Sequence, residues 1–189
     1  SASYGRVAYQ TAYMKANYPV EYMAALLTAD AGDTDQIAIL VAEAERLNIP
    51  VLPPDINESG ADFTVAGENK DTIRFGLTSI KNFGEGISQA IIKERTERGP
   101  FASLSEFLSR VGSKNLNKKS LESLIKSGAM DTLAGPDGSR AHLLAHIETL
   151  LTFHREATAA PAQDSLFSFA APTLNLPPAI GDTSLTDKL

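Results

Sequence analysis

The residues best suited to chemistry lie between Ile80 and Ile92: Ile80-Lys81-Asn82-Phe83-Gly84-Glu85-Gly86-Ile87, followed by Ala90, Ile91 and Ile92. Two glycines one residue apart remove the side chains that would hold an anion at a distance. A helix starting there turns unpaired backbone N–H groups and the positive end of its dipole toward that anion. Lys81, Asn82, Gly84, Glu85, Gly86 and Ile87 are therefore a candidate contact with nucleic-acid phosphate, of a kind that grips backbone and ignores base sequence. The plainer alternative is that Gly84 and Gly86 only cap one helix and turn into the next. A nucleotide-binding glycine loop fits less well: no third glycine stands at the fingerprint spacing, and the preceding residues read as a short helix rather than a buried strand.

A second cluster falls between Phe107 and Ser127. Leu108 and Val111 precede Gly112-Ser113-Lys114-Asn115-Leu116-Asn117-Lys118-Lys119, and Leu121, Leu124 and Ile125 continue in helical register. Asn117 is placed to cap the later helix. Lys114, Lys118 and Lys119 cluster at its start, where cations oppose the dipole, an arrangement that suits an anionic ligand; lysines on a solvated loop are the competing reading.

Other chemistry is poorly supplied. The 189 residues contain no Cys, which excludes a disulfide framework, a thiolate metal site and a cysteine nucleophile. Asp33 and Asp35 precede a helix and read as cap and dipole partners. Glu43 and Glu45, two apart on a helix, point to different faces. His142 and His146 have ligand spacing but no obvious third ligand, and Asp55 lacks a second carboxylate at alternate spacing. No catalytic residue and no metal site is expected. The longest apolar runs, such as Ile37 to Val41, are far shorter than the roughly 20 residues of a membrane helix, and no signal peptide is visible, so a soluble intracellular protein is expected.

Net charge is −6, but it is unevenly spread. Residues 1–80 hold 5 basic and 11 acidic side chains, residues 81–126 hold 9 and 5, and residues 127–189 hold 3 and 7. The basic island coincides with both clusters. Local potential attracts a phosphate backbone, so an acidic chain is able to bind DNA through such an island, with salt-sensitive affinity.

The elements that must position these residues are mostly helical. Tyr4 to Asn17 reads as one helix, stopped at Tyr18-Pro19 before a second that runs to about Ala29. Asp33 or Thr34 caps a third, in which Ile37, Leu40, Val41, Ala44 and Leu47 recur at helical spacing. The prolines at 50, 53 and 54 end it. Asp62 to Val65 and Thr72 to Leu77 alternate around a Gly67-Glu68-Asn69-Lys70 turn and predict one small hairpin. A further amphipathic helix is expected from about Ser139 to Ala157. Residues 158–189 are rich in Ala, Pro, Thr and Ser and read as a linker with little fixed structure.

The Gly84-x-Gly86 segment resembles a helix-hairpin-helix motif, and residues 107–127 would make the second unit of a tandem. The resemblance extends further. Tyr4-Gly5-Arg6-Val7-Ala8-Tyr9-Gln10-Thr11-Ala12-Tyr13-Met14-Lys15 through Leu27, Val51-Leu52-Pro53-Pro54-Asp55-Ile56-Asn57, Ile73 to Leu77, Ile80 to Gly86 and Asn117 to Ala129 together resemble the C-family replicative polymerase alpha subunits of bacteria, in that order. This implies late fingers leading into a tandem helix-hairpin-helix domain that holds duplex DNA behind a polymerase active site. It further implies that two Mg ions belong to a palm domain not represented here, and that these residues alone are inactive. Ser1, inside a stretch continuous in that family, is read as the start of a piece of a longer chain. In the tail, Gln163-Asp164-Ser165-Leu166-Phe167 resembles the bacterial sliding-clamp-binding motif: Leu166 and Phe167 as apolar anchors, Gln163 as an orienting amide, Ser165 between them.

The expected fold is mainly α with one small β-hairpin: helical fingers over 1–48, a linker with the hairpin over 49–78, a tandem helix-hairpin-helix domain over 79–157, and a flexible tail with the clamp peptide over 158–189. The expected partners are duplex DNA, the sliding clamp and other replicative holoenzyme subunits in the bacterial cytoplasm, with no membrane. A helix-hairpin-helix module of a repair nuclease or ligase is the alternative, as is the error-prone paralogue of the same polymerase. A non-DNA scaffold would leave the basic island unexplained.

Overall fold

The computed structural model describes residues 2–112, 114, 116–135, 138–159 and 173–177. Three helices come first: α1 (Ala2–Asn17), α2 (Pro19–Ala29) and α3 (Thr34–Arg46). Pro19 opens α2, where its missing N–H costs no helical hydrogen bond. Asp33 caps α3, its carboxylate accepting from the N–H groups of Asp35 and Gln36 at 3.0 and 3.1 Å. Met23, Ala24 and Leu27 of α2 meet Ile37 and Ala44 of α3 in a small core closed by Ile49, Phe63 and Ile73. Leu47, expected on the apolar stripe, sits at the C-cap of α3 and is exposed. No residue of α1 is buried.

The expected hairpin is present as β2 (Thr64–Ala66) and β3 (Thr72–Arg74), antiparallel with Val65 opposite Ile73. A third strand departs from the sequence reading. β1 (Val51–Leu52) lies on the other edge of β3 and parallel to it, with Val51 opposite Ile73, so the sheet order is β1-β3-β2. Two residues between prolines are too few to show strand alternation.

A one-turn 3-10 helix, Leu77–Ser79, leads into the second helical group: α4 (Glu85–Arg98), α5 (Leu104–Arg110), α6 (Lys118–Ser127), α7 (Asp131–Ala134), α8 (Arg140–Ala145) and α9 (Ile147–Thr158). The short helix expected directly before the glycines is not formed: the single 3-10 turn ends at Ser79, and Ile80 to Gly84 run through a turn without helix. The helix expected over 139–157 is two, because the backbone breaks at His146 (φ −109°, ψ 22°) without a glycine or proline to announce it. Phe83, Ile91, Phe107, Leu121, Leu124 and Leu150 share one core, and the buried His154 ties α9 to α5 by donating Nδ1–H to the Leu108 carbonyl at 2.6 Å. Gly128 ends α6 at φ 83°; its N–H donates to Ile125 O and the Ala129 N–H to Leu124 O, the pairing of a Schellman motif.

The turn at Pro53–Ser59 holds these parts in register. Asn57 donates to Phe101 O at 2.9 Å and accepts from Phe101 N at 2.8 Å, while Arg95 donates to Ile56 O at 2.7 Å. Burial lowers the Arg95 pKa, an effect that the nearby Asp55 charge opposes. Ile56 N donates to Ala129 O at 2.8 Å and Thr132 Oγ1 to Asp55 at 2.9 Å, so one turn ties α4, the α4–α5 loop and the α6–α7 junction together. Thr173–Pro177 departs from the expectation of an unstructured linker: Leu174 and Leu176 pack against the helical core.

Candidate nucleic-acid interface

Phe83 N donates to Ile80 O at 3.0 Å, closing a tight turn over Lys81 and Asn82. Asn82 sits at φ 61°, a left-handed conformation that Asn tolerates better than most residues. Both side chains are exposed. Gly84 then serves as N-cap of α4 at φ −82°, ψ 159°, with no side-chain cap hydrogen bond. α3, α5, α6 and α8 are each capped by a side chain, Asp33, Ser103, Asn117 and Ser139, whereas α2, α7 and α9 share with α4 the lack of a side-chain cap. The N–H groups of Glu85, Gly86 and Ile87 occupy the first turn of α4, where no intrahelical acceptor exists.

Glycine at 84 is required neither by its backbone, which any residue adopts, nor by packing, since an added Cβ would meet nothing within 4 Å. What glycine preserves there is open approach from outside to the helix end. The Ile87 side chain is buried at 5% exposure, so Ile87 offers its backbone only. Glu85 is exposed in the first turn, where its charge favours the dipole and opposes a phosphate.

The second cluster divides. Asn117 is engaged as a cap: Ser120 N donates to its Oδ1 at 3.0 Å, and Asn117 N donates to Ser120 Oγ at 3.0 Å. Lys118 already has an anionic partner within the chain, Glu148, at 2.6 Å. That hydrogen bond raises the Lys118 pKa and lowers that of Glu148. Lys114 is exposed. Lys119 turns to a different side of α6 and lines a cleft of about 730 Å³ shared with Lys81 and Asn82. The first hairpin and the second unit thus converge through Lys81, Asn82 and Lys119. Lys126, Ser123 and Ser79 also line the cleft and were missed in the sequence, although Lys119, Ser123 and Lys126 follow the i, i+4, i+7 spacing of one helix face.

His142 and His146 lie with ring centroids 4.5 Å apart, and among the described residues no three His, Asp or Glu side chains are grouped as metal ligands. Asp55 is structural: its Oδ1 accepts from Asn57 N at 2.7 Å and its Oδ2 from Thr132 Oγ1 at 2.9 Å. Gln163, Ser165, Leu166 and Phe167 lie outside the described residues. Among the described residues no helix is long and apolar enough to cross a membrane.

The sequence family described as a helix-hairpin-helix motif matches residues 48–143. The chain is 50% identical over 156 residues to the DNA polymerase III subunit alpha of Thermus aquaticus, an alignment covering 82% of this chain and 12% of that protein. It is 50% identical over 151 residues to the subunit of the same name from Deinococcus radiodurans, covering 80% and 11%. It is 45% identical over 133 residues to that of Mycobacterium tuberculosis, covering 70% and 11%. The chain therefore spans about an eighth of the length of these relatives. An uncapped α4 behind an open Gly84, a second unit sharing its cleft, and these alignments agree: the chain belongs to the helix-hairpin-helix family, in the form carried by DNA polymerase III alpha subunits.

Proposed function

We propose that these residues are the duplex-gripping part of a DNA-directed DNA polymerase, acting in replication and tethered to a sliding clamp. Nucleotidyl transfer belongs to the rest of such a polypeptide, where a palm domain would hold the two Mg ions. The contribution of this chain is positional. The N–H groups of Glu85, Gly86 and Ile87 donate to a backbone phosphate oxygen, the α4 dipole favours its charge, Lys81 adds attraction beside it, and Lys114 contributes from the second unit. Because every contact is to phosphate, the grip lets the duplex advance without regard to sequence. The observation that carries this reading is the open, uncapped N-terminus of α4 behind a glycine that the fold itself does not need.

The test is Gly84→Val in this chain. An added Cβ there meets nothing within 4 Å, and Val is a poorer N-cap than Gly, so the fold is expected to lose no more than about 1 kcal/mol and stay folded, while duplex affinity falls by about 10-fold or more, the worth of a charged hydrogen bond. Unchanged affinity contradicts the reading. Clamp tethering rests on Gln163-Asp164-Ser165-Leu166-Phe167. Leu166→Ala with Phe167→Ala is expected to abolish binding to an immobilised bacterial sliding clamp and to leave DNA binding intact; retained clamp binding removes that part. The reading places the protein in the bacterial cytoplasm, at the nucleoid, with other holoenzyme subunits.

A further inference from the structure

Three lysines from two segments face the cleft beside the hairpin: Lys81 from the turn, and Lys119 and Lys126 from α6. Among the described residues neither Lys81 nor Lys119 comes within ion-pair distance of a carboxylate, whereas Lys118, on another side of the same helix, is paired with Glu148. Lys126 lies 3.6 Å from Glu122, the one acidic residue among the described residues that line the cleft. Ser79 Oγ, also on the cleft wall, is shielded and has no hydrogen-bond partner among the described residues. Seven residues separate Lys119 from Lys126, about 10 Å along the helix axis. That length corresponds to about three nucleotides at the rise of one DNA strand.

We propose that this cleft seats a second run of sugar-phosphate backbone, lateral to the hairpin, with Lys119 and Lys126 as its charged contacts and Glu122 as the carboxylate that limits its affinity. The proposal rests on the reading of α4 as a phosphate grip and extends it from a point contact to a line along α6. Its purpose is mechanical: a point contact lets the duplex pivot, and a second contact line one helix away fixes its direction. Glu122 keeps the seat weak. Its charge neutralises Lys126 and repels phosphates, so the strand is held without being trapped, as sliding requires.

The experiment measures binding of this chain to a labelled 20-base-pair duplex by fluorescence anisotropy between 50 and 200 mM KCl. The double variant Lys119→Gln, Lys126→Gln is expected to reduce the slope of log affinity against log salt by between about 1 and 2, with Lys126 counting for less than Lys119 because Glu122 pairs with it. Glu122→Gln is expected to raise affinity about 3-fold, an outcome that damage to the fold would not produce. Lys93→Gln, on the exposed side of α4, is expected to leave the slope unchanged. If the double variant keeps the wild-type slope while Gly84→Val loses binding, the cleft proposal is overturned and the hairpin grip stands. If the wild-type chain itself shows no salt-dependent binding, both fall.

Discussion

Asp55 accepts from the N–H groups of Asn57 and, more weakly, Glu58, takes the Thr132 hydroxyl on its other oxygen, and is buried at 7% exposure. Its carboxylate is consumed in holding a turn. Asp55→Ala is expected to cost about 3 kcal/mol, since it leaves those donors unpaired and Arg95 without its counter-charge; chemical denaturation measures this. Glu106 belongs to a second local device. It accepts from Ala102 N at 2.8 Å and from Arg110 at 2.7 Å, while its own N–H donates to Ser103 Oγ. The backbone hydrogen bond first, and then the one from Arg110, lower its pKa. A carboxylate lowered on folding stabilises the fold above the unfolded value of about 4.3, and that contribution is lost as pH falls through the folded value. The difference in melting temperature between wild type and Glu106→Gln is therefore expected to be largest near neutrality and to shrink as pH falls from about 5 to 3. Caps such as Asp33 and Asn117 were legible in the sequence because their partners lie two or three residues away. The pairing of Lys118 with Glu148 was not, because it spans 30 residues and is decided by how α9 lies beside α6.

Helices announced themselves by their 3.6-residue period and by Pro19 and Gly128, and α1 to α4 and α6 lie where that period places them, while α5 begins at Leu104, ahead of the residues singled out in the sequence. β1 and the break between α8 and α9 were hidden. A two-residue strand exists only because β3 offers an edge, and the bend at His146 answers to tertiary packing rather than to a local breaker. The cleft was half legible: Lys81, Asn82 and Lys119 were singled out, but nothing local says that residues 80–82 and 119–126 face each other. α1 shows the converse case. Its sequence is helical, yet Tyr4 and Tyr9 are 82% and 70% exposed and nothing on it is buried. A 16-residue helix without packing is marginal in water. Its amides are expected to exchange on the order of 1,000-fold faster than those of α6 in hydrogen-exchange measurements; equal protection would contradict this account of α1. Leu124, fully buried on α6, is expected to cost about 3 kcal/mol when changed to Ala.

Across the whole molecule, charge and packing divide the labour. The acidic N-terminal unit and the acidic C-terminal third flank residues 81–126, which carry 9 basic against 5 acidic side chains and hold both the hairpin and α6. Net charge alone predicts repulsion from DNA; the local island reverses that where α4 opens. The proposed grip of this island on duplex backbone, blind to base sequence, is checked by measuring affinity for two duplexes of equal length and unrelated sequence across a salt series. Equal affinities for both are expected at every salt concentration, with a steep common decline as salt rises. A clear preference for one sequence, or binding that salt does not weaken, would contradict it.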